Sequence, residues 1–212
     1  MNSRVLPAGG LLLDMDGVLV DSNATVESHW SQWAARRGLS RADVMRGAHG
    51  SPTRDNVARF VTADEVEVEA GWIEALPADS DDVALPGAAA ALTQRDVPVA
   101  VVTSAPNRVA RLRLERAGLP VPPVVVGCDD VPRGKPDPAP YLRAAALLGV
   151  DPSRCVGVED SPVGLAALRA AGITPLAVLT TFPALELDAL AHLPDLGWLT
   201  IEPGQVRWSA GG

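Results

Sequence analysis

The chain has 212 residues, room for one generous core or for a core with a small appended unit, because domains run about 100 to 200 residues. A hydrophobic fraction of 47% with 21% charged residues matches a soluble globular protein, and no apolar run approaches the roughly 18 residues that a membrane span needs. The formal net charge of −8 and the lack of a basic run disfavour binding along a nucleic acid, while a small anionic ligand stays allowed where a cation or local donors receive it.

In chain order, the opening MNSRVLPAGGLLLD holds one arginine and a short apolar patch that breaks at Asp14. That pattern lacks the apolar stretch of a secretory signal, so a cytoplasmic location is expected. The leucines at 11–13 read as a short core strand running into Asp14 and Asp16. Residues 22–85 carry helical patterns without an intervening strand, with Val26, Trp30, Trp33 and Arg37 on one face. That spacing predicts a tryptophan stripe serving the core of an inserted helical unit. ALPGAAAALTQRD then restarts a strand-helix rhythm, with Pro86 near a helix start. VPVAVVT (97–103) predicts a buried strand, followed after Asn107 by a helix with Val109, Leu112, Leu114 and Ala117 inward and Gly118 as its stop. PVVVG (123–127) precedes a helix ending at Gly149, RCVGVE (154–159) precedes one ending at Gly172, and TPLAVL (174–179) is a further strand. The closing EPGQVRWSAGG is expected to form a short strand and a loose tail. Cys128 and Cys155 each adjoin an apolar, strand-like segment, which predicts buried reduced thiols over a disulfide or a metal site.

Short continuous apolar strands alternating with amphipathic helices predict an α/β fold, a doubly wound parallel sheet with helices on both faces. The boundaries read as a core of 1–21 and 86–212 with a helical insertion at 22–85.

In such a sheet, ligands bind beyond the carboxyl ends of the strands. Asp14 and Asp16 follow the first strand, Thr103 and Ser104 the next, and Glu159 and Asp160 a later one. Lys135, in RGKPDP, follows the strand at 123–127. Each has a structural explanation when taken alone: turn chemistry for DG, capping for Thr103, a solvated lysine, and acids at a helix N-terminus. Taken together, four strand ends carry complementary chemistry. Two carboxylates two residues apart repel each other unless something positive sits between them. Asp14, Asp16 and Asp160, with Glu159 beside them, suit Mg²⁺, a hard ion that seeks oxygen and keeps its waters. Thr103, Ser104 and Lys135 would donate to the phosphoryl oxygens that the ion does not reach.

These residues, in this order, resemble the four motifs of the haloacid dehalogenase superfamily: DMDGVLVDS, VVTS, the lysine of RGKPDP, and GVEDSPVG. The resemblance implies a Rossmann-like core with Asp14 as nucleophile and Asp16 as general acid and base. It also implies Mg²⁺ held by the Asp14 side chain, the Asp16 backbone carbonyl and Asp160, with Glu159 in support, and Thr103 and Lys135 on the phosphoryl group. Residues 22–85 match the place of the helical cap in members whose cap follows the first motif. Asp16 argues for phosphoryl over carbon–halogen chemistry. The β-phosphoglucomutases have a histidine where this chain has Val26, which counts against a mutase, and the absence of lysine from 22–85 excludes the phosphonate-cleaving branch.

VESHWSQWAARRGL, HGSPTRDNVARF and LTTF resemble stretches of sugar-phosphate and glycerol-phosphate phosphatases. The expected activity is therefore a phosphatase acting on small phosphorylated sugars or polyols, with a mutase-like phosphotransferase or a phosphoglycolate-type phosphatase as alternatives. His49, Arg54 and Asp55 are candidate substrate readers of the cap, and Asn107 is a further candidate, although loop and capping bonds explain each equally well. A signalling receiver domain also clusters acids, Thr and Lys around Mg²⁺, but the insertion and Asp16 favour turnover. The expected partner is a small phosphorylated metabolite, with no nucleic acid or membrane, for a protein expected to be a monomer.

Overall fold

In the computed structural model, which describes residues 3–46, 48–76 and 82–209, the apolar runs become the strands of a parallel sheet. In chain order the chain forms β1 (Ser3–Pro7), β2 (Gly10–Leu13) and β3 (Val20–Asp21). Four helices follow: α1 (Asn23–Arg37), α2 (Arg41–Met45), α3 (Thr53–Val57) and α4 (Val66–Glu74). Next come β4 (Val83–Ala84), α5 (Ala88–Thr93), β5 (Val99–Val102), α6 (Asn107–Arg116) and β6 (Val124–Val126). Then α7 (Ala139–Leu148), β7 (Cys155–Glu159), α8 (Pro162–Ala170), β8 (Thr174–Val178) and β9 (Ala191–Leu193) complete the alternation, and β10 (Leu199–Glu202) and β11 (Gln205–Ser209) end it.

Six strands form the main sheet in the order β6-β5-β2-β7-β8-β9, and every pairing in it is parallel. Because side chains alternate along a strand, β2 sends Leu11 and Leu13 to one face and Leu12 to the other. Ala88, Ala91 and Leu92 of α5 and Ala110 and Leu114 of α6 pack with the first face. Tyr141 and Ala144 of α7 and Leu165 and Leu168 of α8 pack with the second. The sheet is thus covered on both sides, as the continuous apolar strands predict. The helices stop at or within two residues of Gly118, Gly149 and Gly172.

The inward face of α6 differs from the expected one. Ala110 and Leu114 are buried, but Leu112 is 40% exposed, and Val109 and Leu112 line a cavity. The thiols differ from each other: both are free, but Cys155 is buried while Cys128 is only half-buried. Burial pushes each up to about 11.

The helices α1 to α4 enclose a hydrophobic cluster of their own, in which Trp30, Trp33, Val44, Val57, Ala70 and Ile73 are buried. Trp33 stands edge-on to Trp30 and to Phe60, and its Nε1 donates to Glu69 Oε2 at 2.6 Å. Arg36 and Arg37 pair with Glu69 and Glu65, so the end of the stripe at Arg37 belongs to an ion-pair rim. The chain enters and leaves this unit through the antiparallel pair β3–β4, where Val20 faces Ala84 and Asp21 faces Val83.

A second sheet, β1-β11-β10, is antiparallel and ties the two ends of the chain together. It buries Val206 and Trp208 against the first face of the main sheet. The strand expected near the C-terminus is β11, and the tail at 210–212 lies outside the described residues. No helix among the described residues is long and apolar enough to cross a membrane.

Candidate active site

The carboxyl ends of the central strands deliver the polar groups. Asp14 follows β2 with its N–H on Val158 O at 3.0 Å, and Thr103 follows β5 with its N–H on Val126 O at 2.9 Å. Glu159 ends β7 and Asp160 follows it. All four are buried, as is Lys135 from the loop after β6.

Lys135 is the hub. Its Nζ donates to Asp14 Oδ1 at 2.5 Å, Glu159 Oε1 at 2.6 Å and Val102 O at 3.0 Å. Buried charges persist when each is paired and hydrogen-bonded, and this ammonium uses its three protons on three acceptors. Burial opposes the charge of Lys135, but the carboxylates of Asp14 and Glu159 hold its pKa above the usual range. Glu159 is equally committed. Tyr141 Oη donates to Oε1 at 2.7 Å, while Ser161 Oγ and the N–H groups of Asp160 and Ser161 donate to Oε2. Burial works against its charge too, yet Lys135 and these hydroxyls hold it below the ordinary carboxylate range.

Two glycines make this packing feasible. A Cβ on Gly164, in the first turn of α8, would lie 1.8 Å from Glu159 Oε1, so only glycine lets that helix approach the glutamate. Gly17 has φ of 77°, and a Cβ there would sit 2.0 Å from Asp160 Oδ2.

Asp14 and Asp160 have the opposite balance. Burial first, and then the charge of Glu159, push Asp14 up to about 8 against the pull of Lys135. Burial and the charges of Glu159 and Asp14 push Asp160 well above its usual value. Asp14, Glu159 and Asp160 each offer an oxygen within 4.8 Å of the others. Two buried carboxylates short of positive charge, presenting hard oxygen donors, fit a divalent cation of the Mg²⁺ type. The Asp16 side chain stands outside this group: its Oδ1 accepts from Ser22 Oγ at 2.5 Å and Arg113 Nη1 at 2.7 Å.

Above the carboxylates lies a cavity of about 350 Å³, walled by both the sheet core and the helical insertion. Asp14, Asp16, Thr103, Ser104, Asp160 and His49 line it. Ser104 Oγ donates to Gly50 O at 2.9 Å, a direct tie between core and insertion. Thr103 Oγ1 accepts from Ala105 N at 3.1 Å, a turn bond and not a cap of α6, whose N-terminal flank is Pro106. Burial lowers the pKa of His49, and its ring meets Phe182 edge-on.

Three other candidates stand elsewhere. Arg54 and Asp55 line a separate depression beside Cys128 and Pro136, and Arg54 pairs with Glu67. The Asn107 amide donates to Val125 O and Asp130 Oδ2, each at 2.7 Å, and the residue does not line the cavity. Ser22, Arg113, Tyr141 and Ser161 join the site without having been singled out from sequence. Ser22 closes the first motif itself, and Ser161 follows Asp160 within the fourth. Arg113 and Tyr141 carry no local signal.

A family model described as haloacid dehalogenase-like hydrolase matches residues 9–172. The chain is 42% identical to hexitol phosphatase A of Escherichia coli K12, over 92% of this chain and 95% of that protein. It is 36% identical to validoxylamine A 7′-phosphate phosphatase of Streptomyces hygroscopicus subsp. limoneus, over 93% and 95% of the two chains. Its fold superposes on the crystal structure of a hydrolase from Pseudomonas syringae with a TM-score of 0.80 at 22% identity, covering 89% of this chain and 94% of that one. With a parallel sheet in this strand order and these carboxylates at its edge, the chain belongs to the haloacid dehalogenase-like hydrolases.

Proposed function

We propose that this chain is a Mg²⁺-dependent phosphatase that releases phosphate from small phosphorylated sugars or polyols through an aspartyl phosphate formed on Asp14. The observation that carries this reading is Asp14 on the wall of a cavity shared by the sheet core and the helical insertion, backed from inside the core by the buried Lys135. Likeness to a hexitol phosphatase and to a validoxylamine phosphate phosphatase supports the substrate class.

In this reading residues 1–21 and 86–212 are the catalytic core, and 22–85 form a cap over the cavity. Asp14 attacks phosphorus in line with the leaving oxygen, dividing one hard displacement into two easier ones. Asp16 gives a proton to the departing alkoxide and then takes one from the water that opens the acyl phosphate. With substrate bound, Lys135 would turn one proton from the Val102 carbonyl to a phosphoryl oxygen while still pairing with Asp14, and the Thr103 hydroxyl, with that of Ser104 once it leaves the Gly50 carbonyl, would hold the remaining oxygens. The Asp14 and Asp160 side chains and the Asp16 carbonyl would hold the cation, with Glu159 fixing Lys135 behind them. Bound there, Mg²⁺ would supply positive charge to the phosphoryl oxygens and relieve the repulsion between the carboxylates. The helical insertion excludes bulk water from the reacting groups. Of the four candidate substrate readers, His49 lines the cavity and would meet the substrate, whereas Arg54, Asp55 and Asn107 do not line it.

Phosphate release from an aryl phosphate, with Mg²⁺ and with a chelator, tests the reaction class. Sustained turnover that needs the ion and disappears in Asp14→Asn is expected, whereas stoichiometric labelling without turnover would point to a receiver-like phosphoacceptor. A panel of hexitol, hexose, glycerol and glycolate phosphates, ranked by kcat/KM, then tests the substrate class.

A further inference from the structure

Asp82 begins the return from the helical insertion into β4, 4% exposed and on the wall of the same cavity as Asp14 and Asp16. Among the described residues, neither of its carboxylate oxygens has a hydrogen-bond partner. That is costly, because a buried acceptor left unmet forfeits the hydration it had in the unfolded chain. Burial raises its pKa first of all, while the charges of Arg113 and Arg116 pull it down, Asp16 pushes it up and His29 pulls weakly. The arginine with the stronger pull is already engaged, since Arg113 donates to Asp16 at 2.7 Å.

An ionised carboxylate accepts hydrogen bonds and donates none. Whatever completes this wall must therefore bring donors, and two oxygens side by side suit two adjacent hydroxyl groups. We propose that Asp82 is a specificity-determining residue that accepts hydrogen bonds from hydroxyls of a polyol or sugar phosphate whose phosphoryl group lies against Asp14. This rests on the phosphatase reading above and extends it from the reacting end of the substrate to its carbon chain. The physical consequence is strong rejection of deoxygenated analogues. An apolar chain in the same place would leave Asp82 buried and unmet, and sites built to bond a hydroxyl discriminate far better than sites built to fit a methylene.

The test compares sorbitol 6-phosphate with 1,6-hexanediol monophosphate, which has the same chain length without the internal hydroxyls, and uses an aryl phosphate as reference. All are assayed on the full chain with Mg²⁺. The wild-type protein is expected to prefer the hexitol by about 100-fold or more in kcat/KM. Asp82→Asn, which exchanges one acceptor for a donor at constant shape, is expected to shrink that preference at least about tenfold, chiefly through KM for the hexitol. The ratio is taken within one preparation, so partial misfolding cancels from it. An unchanged ratio in Asp82→Asn overturns the proposal. So does loss of all turnover on every substrate in both Asp82→Asn and Asp82→Ser, because that marks a structural role. If the wild-type protein turns over the aryl phosphate but does not separate the two six-carbon phosphates, this proposal falls and the phosphatase reading stands. If it releases phosphate from none of the three, the phosphatase reading itself falls and takes this one with it.

Discussion

Arg113 Nη1 lies 2.7 Å from Asp16 Oδ1, so a helix of the sheet core grips the loop after β2 across 97 residues of sequence. Ser22 Oγ donates to the same oxygen at 2.5 Å. Two donors on one oxygen fix the carboxylate's orientation and leave the proposed proton transfer to the other. Proton transfer depends on placement, and typical contributions of a positioned acid are about 100-fold or more. Arg113→Gln is expected to lower kcat about tenfold with a smaller change in KM. Because the pair is partly exposed, with side-chain exposures of 16% and 32%, the melting temperature should move by no more than about 4 °C. Steady-state kinetics beside thermal unfolding checks both, and an unaltered kcat would remove Arg113 from the positioning of Asp16.

Lys135 is a different case, with side-chain exposure of 1% and two carboxylates within 2.6 Å. Replacing it with methionine leaves Asp14 and Glu159 buried near each other with no neutralising charge. Breaking a buried pair in this way costs about 3 to 5 kcal/mol. Lys135→Met should lose roughly that in urea unfolding without Mg²⁺, and adding Glu159→Gln should restore part of it. If the two substitutions were simply additive, the energetic coupling between the two side chains would be absent.

The parallel core and its catalytic edge were legible because both arise from local pattern. A strand buried on two faces must be continuously apolar, as VPVAVV and CVGV are, and the next residues must then stand at the ligand-binding edge. What escaped depends on contacts distant in sequence. β1 is five residues long, and its partner β11 lies some 200 residues away, so nothing near Ser3–Pro7 announces a strand. Arg113 is one of several arginines on an amphipathic helix, and only the fold shows which of them reaches Asp16. Val109 and Leu112 have the spacing of core residues but line the cavity, because helical periodicity does not separate a packed core from an apolar pocket wall. Arg54 and Asp55 follow His49 closely in sequence, yet they lie in α3, which carries them to another depression. Asp82 is one of two adjacent aspartates in a polar stretch, and its burial has no local signature.

Two glycine-to-alanine changes should have opposite signs. Alanine gains up to about 1 kcal/mol over glycine in a helix interior. At Gly71, in α4, an added Cβ meets nothing within 4 Å, so Gly71→Ala should stabilise by about that amount. At Gly164 the added Cβ would lie 1.8 Å from Glu159 Oε1, and that side chain is held by Lys135, Tyr141 and Ser161, so it has little freedom to retreat. Overpacking of about 1 to 3 kcal/mol then exceeds the helix gain, and displacement of Glu159 disturbs Lys135, so activity should fall together with stability. Chemical denaturation of the two variants settles the signs. A stabilised, fully active Gly164→Ala protein would show that Glu159 is not confined.

Removing the cation should matter more as pH rises. Asp14 sits near 8 in the folded chain against an ordinary value of 3.8, and Asp160 is displaced in the same direction. The folded, metal-free protein therefore holds protons that the unfolded chain has already released. For a carboxyl group raised by folding, metal-free stability is greatest below the unfolded pKa and declines as pH climbs toward the folded one, here from about 4 to about 8. Mg²⁺ competes with those protons for the same oxygens, so its stabilising effect should be small near about pH 5 and grow toward about pH 8. Thermal unfolding with Mg²⁺ and with a chelator, at several pH values across this window, reads the difference directly. In Asp14→Asn the growth with pH should be much reduced, since one of the competing carboxylates is gone. A Mg²⁺ increment that is the same at every pH would mean that the ion does not replace protons on these carboxylates.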